Sequence, residues 1–378
     1  MRFGPAPSDS TKKREWKVAN QFTELTQRIV SDSTMFLIPL SAIYSAVMRA
    51  RREAYRRGWL AVSKLPAPVI SVGNLTTGGT GKTPLVDWIC RQIAADGHKV
   101  CILTRGYGRI NPGQQLVVSD GKQIIASERE AGDEPYLLAQ NLLGVAAVVC
   151  NPNRVEGGKW AIENLGSEVF VLDDGFQHLR LARDLDIVTL DATNPWGGGA
   201  LLPRGRLREP RNGLSRAGAI VITRTEQQND LDSVERLVER FAGEVPIFTS
   251  QMLPSALRLM ANNSREAQSP RFAAFCGVGN PESFFRLLRR EGHELAFTRA
   301  FRDHNEYTQS QIDDLIREAR AEGAGALVTT PKDEVKVKKL NVAIPCYVLD
   351  IQISLDEADR FVQLIRKAIS KATGNANC

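Results

Sequence analysis

A chain of 378 residues, 43% hydrophobic and 24% charged, has the composition of a soluble globular protein with core enough for two domains, not of a disordered or fibrous one. Its net charge of +6 is modest and uneven, so anionic partners or a membrane surface are indicated only where arginines cluster. The six cysteines, Cys90, Cys101, Cys150, Cys276, Cys346 and Cys378, lie far apart without C-x-x-C spacing or metal-ligand neighbours, and read as reduced, mostly buried residues of a cytosolic chain.

Residues 1–33 form a polar extension of mixed charge. In the next region, 34–62, the apolar run from Met35 to Met48 is followed at once by Arg49, Arg51, Arg52, Arg56 and Arg57. The run contains Pro39 and is shorter than the ~20 residues a bilayer crossing needs. Wound as a helix, it puts Leu40, Ile43, Tyr44, Val47 and Met48 on one face and Ser41, Ser45, Arg49 and Arg52 on the other. Two readings fit: a helix lying in the headgroup layer with Tyr55 and Trp59 as anchors, or an amphipathic helix packed on its own domain. A signal peptide fits less well, because the charges follow the apolar run.

Residues 63–245 carry the pattern of a phosphate-binding domain. Ser71-Val-Gly-Asn-Leu-Thr-Thr-Gly-Gly-Thr-Gly-Lys-Thr-Pro84 completes an apolar strand and precedes a helical apolar period from Leu85 to Ile93. Thr77, Gly78, Gly79, Thr80 and Gly81 are expected to cradle phosphates, Lys82 to reach the terminal ones and Thr83 to offer a hydroxyl to Mg²⁺. Thr76 stands where G-x-x-x-x-G-K-[ST] has its first glycine, so the strict motif fails by one residue. Apolar strands at 100–103, 146–149, 169–172, 187–190 and 219–222, alternating with helices such as 135–143 and 154–165, predict a P-loop type, doubly wound, mostly parallel α/β sheet.

Three further stretches of this domain bear on chemistry. The strand at 169–172 ends in Asp173 and Asp174, either of which is expected to hold Mg²⁺ directly or through water; the alternative is a solvated turn. Asp133 and Glu134 open a helix and by themselves read as a cap and a dipole partner. Leu202-Pro-Arg-Gly-Arg-Leu-Arg-Glu-Pro-Arg211 sets four arginines in a Pro/Gly loop, suited to clamping phosphates or an anionic headgroup. No aromatics are interleaved with them, so nucleic acid is not the expected partner.

Residues 246–270 read as an extended connector and 271–378 as a second, smaller α/β domain with strands at 326–329 and 346–349 and helices at 310–322 and 355–369. Gly277-Val-Gly279 opens like a dinucleotide fingerprint, but Glu282 replaces its third glycine, and a tight β–α turn is the expected reading. Asp303-His304 precedes a helix and reads either as a loop cap or as a pair in which the histidine orients a nearby carboxylate and tunes its basicity.

Taken in order, Gly73-Asn-Leu-Thr-Thr-Gly-Gly-Thr-Gly-Lys-Thr-Pro84, Thr104-Arg-Gly-Tyr-Gly-Arg109, Gly132-Asp-Glu-Pro135, Leu172-Asp-Asp-Gly-Phe-Gln-His178, Leu202-Pro-Arg-Gly-Arg-Leu-Arg-Glu-Pro210, Phe301-Arg-Asp-His304 and Val328-Thr-Thr-Pro-Lys-Asp333 resemble the tetraacyldisaccharide 4′-kinase family of lipid A biosynthesis. The resemblance runs from about Leu37 to beyond Lys336. It implies transfer of the γ-phosphate of ATP, with Mg²⁺, to the 4′-hydroxyl of an acylated glucosamine disaccharide. The enzyme it implies is peripheral on the cytoplasmic face of a bacterial inner membrane; a monomer is the expected state.

By the same resemblance Lys82 and Thr83 serve the phosphates and the metal. Glu134, Asp173 and Asp174 are candidates for the Mg²⁺ shell, and Asp133 is the base that takes the sugar proton, supported by His304. A multiply acylated substrate is held in the bilayer by ~0.8 kcal/mol per buried CH₂, which favours the docked reading of the N-terminal helix. Two other classes share a loop of this kind: targeting or partitioning ATPases, which commonly carry lysine where Thr77 stands, and soluble small-molecule kinases.

Overall fold

The computed structural model describes residues 37–262, 264 and 271–374. The polar extension 1–33, the start of the apolar run, part of the connector and Cys378 lie outside the described residues. Helix α1 (residues 37–56) leads into β1 (Val69–Asn74) and α2 (Lys82–Ala95). After these come β2 (Val100–Thr104), β3 (Leu116–Ser119), α3 (Glu128–Ala131), α4 (Asp133–Asn141), β4 (Ala146–Cys150) and α5 (Arg154–Leu165). The first half closes with β5 (Val169–Asp173), β6 (Leu185–Asp191), β7 (Ala219–Thr223) and α6 (Leu231–Ala242).

Valine, isoleucine and leucine dominate these strands because helices cover both faces of the sheet, and β1, β4 and β7 are buried along their whole length. Strands β7, β6, β1, β5, β2 and β4 pair in parallel in that order, with β3 antiparallel at the edge. The chain runs outward from β1 to β4 on one side, then crosses beside β1 to continue through β6 and β7. A doubly wound sheet opens its crevice at such a reversal, outside the carboxyl ends of the strands.

The extended stretch between the halves is β8 (Ile247–Leu259), 13 residues long. Its first residues pair in parallel with β7, and its remainder pairs antiparallel with β12 (Cys346–Leu355). The second half contains β9 (Phe272–Cys276), α7 (Pro281–Arg290), β10 (Leu295–Ala300), α8 (Gln309–Ala321), β11 (Ala326–Thr329) and α9 (Pro331–Val337), ahead of β12. Its strands add in the order β12, β11, β9, β10, so one 12-stranded sheet runs through both halves. The last helix, α10 (Ala358–Gly374), returns to the first half: Phe361 stacks edge-on against Phe248 at 4.8 Å and packs near Trp88, and Arg366 pairs with Asp96. The five described cysteines are free and buried.

Helix α1 is seated with its serines inward. Ser45 is buried, the Ser41 hydroxyl donates to the Leu201 carbonyl (3.0 Å) and the Tyr44 hydroxyl to that of Arg208 (2.8 Å). Leu40, Ile43 and Val47 point outward, each more than half exposed. Tyr44 and Met48 depart from the helical-wheel expectation and line the central cavity, because the tyrosine hydroxyl finds a carbonyl beneath the helix. Among the described residues no helix is long and apolar enough to cross a membrane.

Candidate active site

The loop after β1 is held from outside. Thr76 bridges Leu207, the Arg208 amide donates to the Leu75 carbonyl (2.7 Å), and the Thr77 amide donates to the Arg206 carbonyl (2.7 Å). Thr76 therefore occupies a short β-pairing that a threonine suits, which accounts for the missing glycine. The Thr77 carbonyl accepts from Arg206 Nε (2.9 Å), that of Gly79 from Arg224 Nη1 (2.8 Å) and that of Thr80 from the Thr223 hydroxyl (3.0 Å). With its carbonyls so engaged, the loop leaves the N–H groups from Gly78 onward for an anion, while the Thr77 amide, taken by the Arg206 carbonyl, drops out of the expected cradle. Gly81, the N-cap of α2, has φ +76, a left-handed backbone that strains any side chain, and a Cβ there would also displace the Met252 methyl, 2.5 Å away. Lys82 and Thr83 then begin the helix.

Beside the loop, β5 ends in two unlike carboxylates. Asp173 is buried and accepts from the Thr104 hydroxyl (3.1 Å). Burial, then the negative charges of Glu134 and Asp174, push its carboxyl up to about 7. Asp174, at φ +53, is ion-paired with Arg208 (2.7 Å) and lies 3.5 Å from Lys82 Nζ. Burial opposes its ionisation, but the two cations prevail and hold it below the usual carboxylate range. Among the described residues no three His, Cys, Asp or Glu side chains converge as a metal cluster.

The second half supplies the facing wall. His304, at φ +60, is fixed by its amide, which donates to the Gly277 carbonyl (3.3 Å) and to Asp303 (3.1 Å). Its Nδ1 lies 3.1 Å from Asp133 Oδ2, which also accepts from Lys336 Nζ at 2.7 Å. Lys332 contacts His304 Nε2 (3.3 Å), Asp303 (2.9 Å) and Glu134 (3.6 Å). Below them Asp333 accepts from the Gly277 amide, the Tyr307 hydroxyl and the Thr330 hydroxyl, tying the His304 loop to the start of α9. The hydrogen bond to Asp133 raises the His304 imidazole, with burial opposing. Burial works against ionisation of Asp133, yet its bonds to His304 and Lys336 bring it down to about 2.

One cavity of about 1940 Å³ collects Thr77 to Thr83, Glu134, Asp174, His304 and Lys332. Asp133 and Asp173 stand behind that lining, Asp133 reaching it through His304. Arg224 and Lys336 join the site without any motif having marked them, and Lys332 without a role having been assigned to it. The Gly277-Val-Gly279 turn takes part as well: a Cβ on Gly279 would lie 2.7 Å from the Gly79 nitrogen, and Asn280 donates to Asp191 (3.0 Å) beside the phosphate loop. A tight turn was the correct reading, and its tightness brings the second half against the first.

Comparison with known proteins identifies the site's owner. The profile of the tetraacyldisaccharide-1-P 4′-kinase family matches residues 33–370. The chain belongs to the tetraacyldisaccharide 4′-kinase family. The chain is 39% identical over 312 residues to the tetraacyldisaccharide 4′-kinase of Desulfotalea psychrophila, covering 82% of this chain and 89% of that one. It is 42% identical over 307 residues to that of Anaeromyxobacter dehalogenans, covering 80% of each. The crystal structure of LpxK from Aquifex aeolicus in complex with ATP superposes with a TM-score of 0.70 at 32% identity, covering 89% of this chain and 99% of that one. The chain is thus a kinase of lipid A biosynthesis, and the targeting-ATPase and soluble-kinase readings fall away. In this 4′-kinase the phosphate loop and Asp133 come from one half and His304 from the other.

Proposed function

We propose that the chain transfers the γ-phosphoryl group of ATP to the 4′-hydroxyl of a tetraacylated glucosamine disaccharide 1-phosphate, working as a monomer docked by α1 on the cytoplasmic face of the inner membrane. The observation that carries this reading is the contact of His304 with Asp133 across the two halves, beside the cavity that holds Lys82. Phosphoryl transfer asks for alignment and neutralised charge; Lys82, Arg208 and Lys332 line the cavity where the phosphates would lie, and Arg206 braces the loop through the Thr77 carbonyl.

Asp173 fits a Mg²⁺ ion by the chemistry of its surroundings: burial first, then the charges of Glu134 and Asp174, push this carboxyl up to about 7, and Lys82 offsets them only in part. Asp174, already paired with Arg208 and Lys82, fits less well as a direct ligand. Thr83, Asp173 and Glu134 would hold the ion, a partial protein set of the kind Mg²⁺ takes alongside phosphate and water oxygens. When bound, the ion would neutralise charge on the β- and γ-phosphates.

The Asp133–His304 pair takes the proton of the sugar hydroxyl. A specific observation favours the imidazole as the atom group that receives it. His304 lines the cavity while Asp133 stands behind, and a carboxylate brought down to about 2 is a weak base beside an imidazole raised by its partner. In that form Asp133 orients the ring, and closure of the halves completes the site and excludes water.

The test is an assay of the full chain with γ-labelled ATP, Mg²⁺ and acylated disaccharide 1-phosphate in mixed micelles. Label is expected in the glycolipid; label found only as free phosphate or in a soluble acceptor would refute the proposal.

A further inference from the structure

The arginine loop serves two places. Arg206 and Arg208 turn to the phosphate loop and to Asp174. Arg204 and Arg211 instead line a second cavity of about 410 Å³ with Gly198, Gly199 and Ala200, and this cavity shares no lining residue with the central one. Among the described residues neither arginine has a carboxylate partner, although their neighbours Arg208 and Arg216 are paired with Asp174 and Glu209.

The second cavity is built rather than incidental. The Arg211 guanidinium lies over the rings of Trp196 (5.2 Å) and Phe241 (5.7 Å), which set its plane. Gly199, at φ +82, makes room for it: a Cβ there would lie 2.5 Å from Arg211 Nη2. The cavity is a shallow, open depression, and two guanidinium groups in a lining that holds no acid form a donor set suited to a phosphate.

Its position names the source of that phosphate. The loop runs beneath α1, bonded to it at Ser41–Leu201 (3.0 Å), Tyr44–Arg208 (2.8 Å) and Arg52–Asn212 (3.4 Å). The same helix turns Ile38, Leu40, Ile43 and Val47 to the outside. With those side chains in the acyl boundary, a phosphate held by the loop about one helix thickness (~10 Å) away is at headgroup depth. We propose that Arg204 and Arg211 form a pocket for the phosphate of an anionic phospholipid, separate from the site of transfer. The proposal rests on α1 being membrane-docked and goes beyond it by assigning a headgroup site.

The test is co-sedimentation of the full chain with phosphatidylcholine vesicles and with vesicles that also contain phosphatidylglycerol. The wild-type chain is expected to prefer the anionic vesicles, and R204Q/R211Q to lose roughly tenfold of that preference. R204K/R211K, which keeps the charge but not the planar fork, is expected to lose most of it. Both variants should keep the wild-type circular dichroism spectrum, wild-type binding to neutral vesicles and wild-type activity on detergent-dispersed acceptor, with only a small drop in thermal stability where the Arg211 guanidinium leaves the Trp196 and Phe241 rings.

A wild-type preference retained by the glutamine variant overturns the proposal, and one retained in full by the lysine variant reduces the pocket to diffuse charge and overturns it too. Equal vesicle binding by all three chains, with inorganic phosphate protecting only the wild type against thermal unfolding, would assign the pocket to free phosphate instead of lipid. Equal affinity of the wild type for both vesicles sinks this proposal alone, whereas no binding to either also removes the docked reading of α1.

Discussion

His304 Nδ1 and Asp133 Oδ2 lie 3.1 Å apart although 171 residues of chain separate them, and the two groups stand on opposite halves of the sheet. Each changes the other: the carboxylate raises the imidazole above its ordinary 6.5, and the imidazole, with Lys336, brings the carboxyl down to about 2. The pair therefore makes opposite forecasts for the two possible proton acceptors.

With imidazole as the acceptor, kcat/KM rises with pH until His304 is neutral, so the acid limb falls above 6.5. With the carboxylate as the acceptor, no limb appears above about 5. His304→Ala should lower kcat by roughly 10²–10⁴-fold while leaving ATP affinity within a few-fold. Asp133→Asn removes the partner that raises the imidazole and should move the limb to lower pH. A flat profile in the wild type would return the proton to Asp133.

Asp173→Asn and Asp174→Asn should separate cleanly in a Mg²⁺ titration at fixed ATP. Among the described residues Asp173 accepts a side-chain hydrogen bond from the Thr104 hydroxyl alone, so its amide variant should need roughly 10–100-fold more Mg²⁺ for half-maximal rate. Asp174→Asn releases Arg208 and Lys82 and should act chiefly on the KM for ATP. Removal of Mg²⁺ by chelation should stop turnover in every chain, and equal titration curves for the two variants would contradict the division of roles.

Gly279→Ala tests the contact between the halves. The new methyl carbon would lie 2.7 Å from the Gly79 nitrogen and 3.0 Å from the Gly78 Cα, and backbone atoms of a braced loop have little room to yield. Turnover should fall about 10²-fold through misalignment, with far-UV circular dichroism unchanged. Activity within twofold of wild type would show that the turn and the loop need not meet.

Ile43→Glu with Val47→Glu places two charges on the outward face of α1, where both side chains are more than half exposed. Activity on vesicle-embedded acceptor should drop at least tenfold, and activity on detergent-dispersed acceptor should hold. Equal activity of the double variant on both preparations would rule out docking through this face.

The elements set by neighbouring residues were legible in the sequence; those set by distant ones were not. Strand, glycine loop and helix from Val69 to Ala95 are written in one contiguous pattern, and the paired acids after β5 mark a strand end. Asp133, by contrast, reads locally as the start of a helix, and only family resemblance pointed past that, because His304 and Lys336 reach it from the other half. Helix α9, seven residues and rich in charge, and the short strands β3 and β10, partly exposed, carry no period strong enough to announce them. Strand β12 runs on to Leu355 past its apolar opening because β8 pairs with it there, information that residues 350–354 do not contain. Tyr44 was placed by its helical phase, while its hydroxyl answered to a carbonyl under the helix.

The return of α10 to the first half makes the two halves a single inheritance. A fragment ending before β8 would present the open edge of β7, five buried apolar and threonine residues, and without Phe361 the Trp88 side of α2 would stay uncovered. An unpaired hydrophobic edge invites pairing with other chains. Insertions and deletions that spare the phosphate loop can therefore still be silenced from the far end of the polypeptide, and a recombinant nucleotide-binding half is expected to be recovered as aggregate unless β8, β12 and α10 travel with it.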